Sequence, residues 1–225
     1  MAFKLEWDKS GERLFETGVD RGVLYVWDST QNAYGAGVVW NGLTGVTNSP
    51  DGAEPTDLWA DNIKYATLRS AETFGATIEA YTYPAEFGQC DGSASPVEGV
   101  YIGQQSRKTF GFCYRTKVGS DTDTEASKYK IHIIYNATAS PSERSYETVN
   151  DSPDAITLSW EIKTTPVNVT GYKPTSEIVI ESWTIPAATL TTLENTLYGN
   201  GSTDAALPGP DALIALLGGS TTTTE

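Results

Sequence analysis

The single histidine and the two cysteines are the side chains best suited to nucleophilic or metal chemistry. His132 lies in a run that alternates apolar and polar residues, which predicts a mid-strand position, and no G-x-S-x-G nucleophile motif accompanies it. Cys90 and Cys113 lack the close spacing of zinc ligands and are too few for a disulfide framework. We therefore expect an ordinary strand histidine, two free thiols, and neither a metal nor a cofactor.

Two acidic runs are the stronger candidates for a cation site. Asp121, Asp123 and Glu125 alternate along the chain, but they lack the glycine and the distant bidentate glutamate of an EF-hand loop. The second run surrounds Pro55 and Trp59. Its members are Asp51, Glu54, Asp57 and Asp61. We interpret the first run as a solvated hairpin tip and the second as a contact surface, since contact residues concentrate on loops.

Paired carboxylates would be needed for glycoside hydrolysis, which places two of them about 5 to 10 Å apart. Glu79, Glu161 and Glu181 fall in predicted strands and could converge in a cleft lined by some of the six tryptophans. Three strand glutamates among 29 acidic residues are expected without any such function. The sequence assigns no catalytic residue and predicts that the chain is not an enzyme.

The elements that carry these residues are those of an all-β protein. The chain has 225 residues, of which 39% are hydrophobic and 21 are glycine, which favours one large domain of short strands and turns. A net charge of −14 argues against tight binding of phosphates or anionic lipid. The charged start does not match a signal peptide, and no apolar run is long enough to cross a bilayer. We expect synthesis in a cytoplasm and no membrane partner.

Periodicity places the elements along the chain. Alternation of period two predicts strands at 22–28, 34–42, 62–70, 73–83, 107–118, 128–137, 155–167 and 176–185. The period then changes, and Pro186, a leucine face and Gly199 predict a helix over 187–198. Residues 48–61 are rich in turn formers and predict a long loop that binds something. The predicted organisation is an N-terminal arm (1–18), a β domain (19–200) and a flexible C-terminal tail (201–225).

One stretch of the sequence carries a family resemblance. Residues 51–92 contain a long loop ending in Leu58-Trp59-Ala60-Asp61-Asn62, a turn at 70–73, and the phrase GATIEAYTYP. The opening GVDRGVLYVWD and the helix near 187–198 extend the likeness. The chain to about residue 200 resembles the major tail tube protein of long-tailed, non-contractile bacteriophages (siphophages) that infect Gram-positive hosts.

This resemblance implies a fold and an assembly. The fold is a β-sandwich or barrel-type tail tube fold with one flanking α-helix, whose inner strands form a β-barrel shared by a hexameric ring. Rings stack into a tube that conducts phage DNA without binding it tightly. The partners are further copies, the tape measure protein, the tail terminator and the distal tail protein. The protein would reside in the virion tail after assembly in the host cytoplasm.

The resemblance also implies two sets of site residues. Contacts between rings are expected at Asp51, Glu54, Asp57, Leu58 and Trp59. Lumen-lining candidates are Thr73, Thr77, Glu79, Lys130 and His132. Basic residues on the predicted inner strands leave two alternatives, contacts between subunits or a lumen that is not uniformly acidic. They are Arg107, Arg115, Lys117, Lys128 and Lys130.

Two other functions stay open. A carbohydrate- or cell-surface-binding β-sandwich module would use exposed tryptophan and tyrosine side chains and remain a monomer. A ring-forming secretion tube would share the architecture of the phage tube.

Overall fold

The structure is a computed structural model that describes residues 4–52, 54–146, 148 and 155–219. Its strands are β1 (Leu14–Asp28), β2 (Ala33–Tyr34), β3 (Val38–Trp40), β4 (Leu43–Asn48), β5 (Asp51–Gly52), β6 (Pro55–Ala60), β7 (Ile63–Arg69), β8 (Glu72–Thr73), β9 (Gly75–Ala80), β10 (Ala94–Val97), β11 (Val100–Ile102), β12 (Phe110–Ser120), β13 (Asp123–Ala139), β14 (Leu158–Thr164) and β15 (Glu177–Glu181). The helices are α1 (Ala187–Tyr198), α2 (Pro210–Leu216) and a 3-10 turn (Ala85–Gln89). The prediction of a mainly β protein is confirmed.

One antiparallel sheet of nine described strands organises the domain. Seven follow the order β2-β1-β12-β13-β14-β9-β4, while β3 pairs with β1 and β15 pairs with β13. The long strand β13 pairs with β15 along 130–134 and with β14 along 137–139. Between these stretches Asn136 adopts a left-handed backbone conformation, and the register with β12 shifts by one residue. A bulge of this kind bends a strand and increases its twist. The described part of the sheet curls in this way without closing into a barrel.

Two apolar clusters fill the two sides of the sheet. The first, here called the tryptophan core, lies inside the curl, where Trp40 of β3 meets Trp160 of β14 edge to face at 5.5 Å between ring centroids. Phe87 of the 3-10 turn packs against both indoles. The second, here called the helix-side core, joins β1, β12, β13 and β15 to the helices. Its buried side chains include Tyr25, Ile131, Ile133, Leu193 and Leu213.

Helix α1 has the predicted bounds, because Pro186 precedes it and Gly199 ends it at φ 78°. A second helix, α2, follows, where the sequence predicted a flexible tail. Leu213 of α2 is fully buried, and Asp211 accepts hydrogen bonds from the backbone and hydroxyl of Thr170. Helix α2 is thus packed on the domain together with Leu207, while 220–225 of the predicted tail lie outside the described residues. Both cysteines are free, as predicted, and the structure buries both of them.

The predicted N-terminal arm is also partly strand. β1 begins at Leu14 and pairs with the far end of β12, where Leu14 lies opposite Ser120. Gly119 allows this, because a Cβ at that position would come within 2.5 Å of the Phe15 ring. Leu5 and Trp7, which precede β1, are exposed, and residues 1–3 lie outside the described residues.

Candidate assembly surfaces

A long antiparallel ribbon extends from the tryptophan core and ends in an exposed hairpin. Strands β4 and β9 continue through β5 and β8 into β6 and β7. Within the part of the chain that the structure describes, β6 and β7 pair only with each other. The tip residues Asp61 and Asn62 have φ values of 51° and 63°, as required at the two central positions of a type I′ turn. Residues 55–69 are here called the projecting hairpin.

The projecting hairpin has two chemically different faces. Leu58 pairs with Ala66, Ala60 with Ile63 and Thr56 with Leu68, so these side chains share one face. That apolar face is exposed, with Ile63 63% and Leu68 57% accessible. On the other face the Asp57 carboxylate lies 2.8 Å from the ammonium of Lys64 and accepts a hydrogen bond from the Thr67 hydroxyl at 2.9 Å. The hairpin is amphipathic although neither face is covered.

The predicted inter-ring residues all lie on this ribbon, but the structure does not bring them to one face. The segment 48–61 is mostly strand where the sequence predicted a loop. Leu58 belongs to the apolar face, whereas Trp59 lies on the charged face with Asp57, because successive strand residues point to opposite sides. Asp51 lies at the base of the ribbon, paired with Thr73, and Glu54 is exposed between β5 and β6. Their contact role stays a prediction.

A second exposed hairpin, which the sequence analysis missed, is formed by β10 and β11. Residues 94–102 are here called the small hairpin. Val97 lies opposite Val100, and Ala94 lies opposite Ile102, which places these four side chains on one face. Val97 is 65% and Val100 51% accessible. The sequence contains the signal for this hairpin, since Glu98-Gly99 lies between two short apolar stretches. Gly99 adopts φ 82° in the turn.

The lumen candidates fall into two groups on opposite faces of the sheet. Thr77 and Glu79 alternate with Ile78 of the tryptophan core, so they point outward, and Thr73 lies in β8 at the base of the ribbon. His132 is paired with Tyr114, which belongs to that core. Lys130, two residues earlier, shares the face of His132. A channel lined by a single face of this sheet therefore cannot include both groups of residues.

His132 offers little surface to a channel because it is 9% exposed. Its ring stacks on Tyr114 with centroids 4.6 Å apart, and its Nε2 lies 3.0 Å from the hydroxyl of Thr116. Its Nδ1 lies 3.6 Å from Glu177 and has no hydrogen-bond partner among the described residues. His132 lies in the middle of a strand, as predicted. The sequence also placed it on a polar face, whereas the structure nearly buries its side chain.

Two basic residues of the inner strands are paired with acids of β1, which the sequence could not show. The guanidinium of Arg115 donates two hydrogen bonds of 2.7 Å to Asp20 and lies over the Tyr129 ring. The Arg115 hydrogen bond holds the pKa of Asp20 below its usual range. Lys130 forms an ion pair with Glu16. These contacts lie within one chain, so Arg115 and Lys130 are partly neutralised before any assembly.

The structure gives little support to the chemical alternatives. Glu79 of β9 and Glu161 of β14 lie on adjacent strands and on the same face of the sheet. Glu181 lies on β15, where it pairs with Lys130 of β13, so the three glutamates do not converge. An open groove of about 770 Å³ runs past Glu161, and Phe74 is its one aromatic residue among those described. Among the described residues, no three or more histidine, cysteine or acidic side chains cluster as metal ligands would. The described helices include none that could span a membrane.

Comparison with known proteins gives distant likenesses only. No family model matches the chain, and no curated protein matches it. A solved structure of the sheath/tube terminator of an extracellular contractile injection system (PVC) shares 11% identity over 79% of this chain and 99% of that chain, at a TM-score of 0.32. A chain of the sheath-tube complex of such a system shares 12% identity over 71% and 88%, at 0.28.

Proposed function

We propose that this chain is a structural subunit of a siphophage tail tube, in which hexameric rings stack into a conduit for genome delivery. The proposal rests on the family resemblance of residues 51–92 and on one structural observation. That observation is the projecting hairpin, a two-stranded element with an exposed apolar face. A two-stranded hairpin that extends beyond the main sheet gains little stability on its own in water, so packing of its apolar face on another copy would stabilise it.

The apolar face of the projecting hairpin suits a contact between copies. Full burial of a leucine or isoleucine side chain contributes roughly 1.5–3 kcal/mol. Leu58, Ile63 and Leu68 point the same way, and a ring of six chains would present six such faces to the next ring. Contacts of this size add up along a tube, where each ring has two neighbours. Asp51 and Glu54 would line the margins of the same interface, whereas Asp57 and Trp59 lie on the opposite face of the hairpin and outside this contact.

The charge of the chain suits a passive conduit. Six copies of a chain with net charge −14 give a ring a formal charge of −84. Like charges on the tube and on DNA oppose adhesion while the genome passes. Of the two groups of lumen candidates, Thr73, Thr77 and Glu79 carry no positive charge. On this proposal they, rather than Lys130 and His132, line the channel.

The remaining roles follow from a tube. The chain would bind further copies, and the tape measure protein, the tail terminator and the distal tail protein would contact its lumen and ends. It would act without catalysis, cofactor or metal, and it would reside in the virion tail after assembly in the host cytoplasm.

Negative-stain electron microscopy of the purified chain over a range of concentrations tests this function, with light scattering to follow mass. Hollow tubes or rings with a bore that admits duplex DNA are expected. A particle that stays monomeric at high concentration would contradict the proposal.

Substitutions on the two faces of the projecting hairpin sharpen the test. Replacing Leu58 and Leu68 by serine removes apolar surface without changing charge and should shorten or abolish tubes. Trp59→Ser removes apolar surface from the opposite face and serves as the matched control. Equal loss of tubes in both variants would show that the apolar face has no special part in stacking.

The positions of the tryptophans argue against the carbohydrate-binding alternative. Trp40 and Trp160 are buried in the core, so they cannot stack on a sugar. The strongly exposed tryptophans among the described residues are Trp7 and Trp59, which lie on different elements. A monomer that binds glycans on an array would favour this alternative over the tube.

A further inference from the structure

Two hairpins of this chain expose one apolar face each, and among the described residues no other strand pairs with either hairpin. The projecting hairpin presents Leu58, Ile63 and Leu68, and the small hairpin presents Val97, Val100 and Ile102. In the sheet topology each hairpin pairs only with itself. Exposed apolar faces of this kind commonly mark sites of protein interaction, so we expect each face to be covered by a partner.

The charges around the two hairpins are complementary. Residues 51–72 contain five acidic and two basic residues, so the ribbon that ends in the projecting hairpin is acidic. Residues 94–108 contain one acidic and two basic residues, and the basic pair, Arg107 and Lys108, is exposed next to the small hairpin. Complementary charge favours the encounter of these two surfaces and sets their register.

A contact between two projecting hairpins is disfavoured by the same charges. It would bring ten acidic residues of two ribbons together against four basic ones. Like charges across an interface cost several kcal/mol when they are close. The small hairpin presents the apolar surface without this penalty.

The symmetry of such a contact also differs. A contact between unlike surfaces of identical chains is heterologous. Each copy offers one surface to one neighbour and the other surface to the next, so the contact can repeat from copy to copy. A contact between like surfaces ends at a dimer. Only the first kind continues a tube along its length.

We infer that the apolar face of the projecting hairpin of one copy docks on the apolar face of the small hairpin of a second copy. This inference rests on the proposed tube function, since it names the surface that receives the hairpin in the next ring. Leu58, Ile63 and Leu68 then pack face to face on Val97, Val100 and Ile102. Arg107 and Lys108 lie toward the acidic ribbon.

Cross-linking between two single-cysteine variants tests the contact. Ile63→Cys and Val100→Cys, carried on chains of different tagged length, are mixed before assembly and treated with a short bis-maleimide. The native thiols contribute little background because burial raises the pKa of Cys90 and of Cys113 to about 12. Trp59→Cys with Tyr101→Cys is the matched control pair, since both side chains are exposed but lie on the opposite faces.

The Ile63 and Val100 pair should give a mixed cross-linked dimer at least tenfold more abundant than the control pair. Tubes that form without this cross-link would overturn the docking while leaving the tube function intact. Cross-links between two Ile63→Cys chains in place of the mixed product would also overturn it. A chain that stays monomeric with no cross-link would overturn both the docking and the tube function. Circular dichroism of each variant verifies that the fold is retained.

Discussion

Trp160 and Trp59 are the same side chain in opposite surroundings. Trp160 is fully buried between Trp40 and Phe87, inside a sheet that curls around it. Trp59 is 68% exposed on a hairpin that has no core of its own. The two side chains are chemically identical, yet Trp160 completes the core of the domain and Trp59 is left exposed. The difference teaches that apolar content alone does not say whether a strand serves folding or assembly.

Replacing each tryptophan by alanine should separate the two regions most strongly. Trp160→Ala leaves a large cavity and should lower the free energy of unfolding by about 3–5 kcal/mol. Trp59→Ala should change it by less than about 0.5 kcal/mol, because the side chain is exposed. Urea denaturation of the unassembled chain measures both. Similar losses in the two variants would mean that the hairpin folds as part of the core.

Thiol reactivity should give a comparable contrast. Burial raises the pKa of Cys90 and Cys113 to about 12, so their reactive thiolate form is strongly disfavoured at neutral pH. A cysteine introduced at Ile63 of the projecting hairpin keeps an ordinary pKa. A maleimide should therefore label Ile63→Cys quickly and the native thiols only when the domain unfolds. Fast labelling of the wild-type chain would show that the domain opens at the native thiols.

The ion pair between Asp20 and Arg115 should contribute an intermediate amount. Asp20→Asn is expected to lower the free energy of unfolding at pH 7 by about 1–2 kcal/mol, since the pair is charge-assisted but partly exposed. The pKa of Asp20 is lowered in the folded state. Its contribution is therefore present above the unfolded pKa, about 3.9, and is lost as pH falls through the folded value.

Unfolding curves between pH 7 and pH 2 measure this contribution. The difference between wild type and Asp20→Asn should shrink below about pH 4. A difference that stays constant down to pH 2 would rule out the ionised carboxylate as its source.

The ion pair between Lys130 and Glu16 should have the smallest effect. Glu16 is nearly half exposed, and exposed pairs contribute about 0–1 kcal/mol. Lys130→Gln should change the free energy of unfolding by no more than this, and the change should shrink in high salt. A loss comparable to that of Asp20→Asn would place Lys130 among the structural residues of the sheet.

Much of the domain could be predicted from the sequence where local pattern decides structure. Helix α1 was found with its bounds because Pro186, a leucine face and Gly199 mark it locally. The strands β9, β12 and β13 followed from alternation. The packing of α2 was not predictable, since its apolar patch is short and gains its burial from side chains distant in sequence such as Tyr135, whose hydroxyl donates to the carbonyl of Pro208.

The candidate surfaces were only partly predictable. Pro50, Gly52 and Pro55 made residues 48–61 read as a loop, and the alternation of β6 was hidden among them. Leu58 and Trp59 were grouped because they are adjacent, although adjacency in a strand means opposite faces. The register between β1, β12 and β13 determines which side chains meet across these strands. It brings Tyr114 and His132 to one face and forms the pairs Asp20–Arg115 and Glu16–Lys130. A single sequence does not specify that register.

The continuity of the ribbon with the core has a mechanical consequence. A pull on the projecting hairpin along its length is transmitted through β8 to β9, which is joined to β14 at six register positions. Hydrogen bonds between antiparallel strands lie across the strand direction, so such a pull loads them in shear and all at once. They would have to fail together rather than unzip one by one. We therefore expect the ribbon to resist force that is applied along its length.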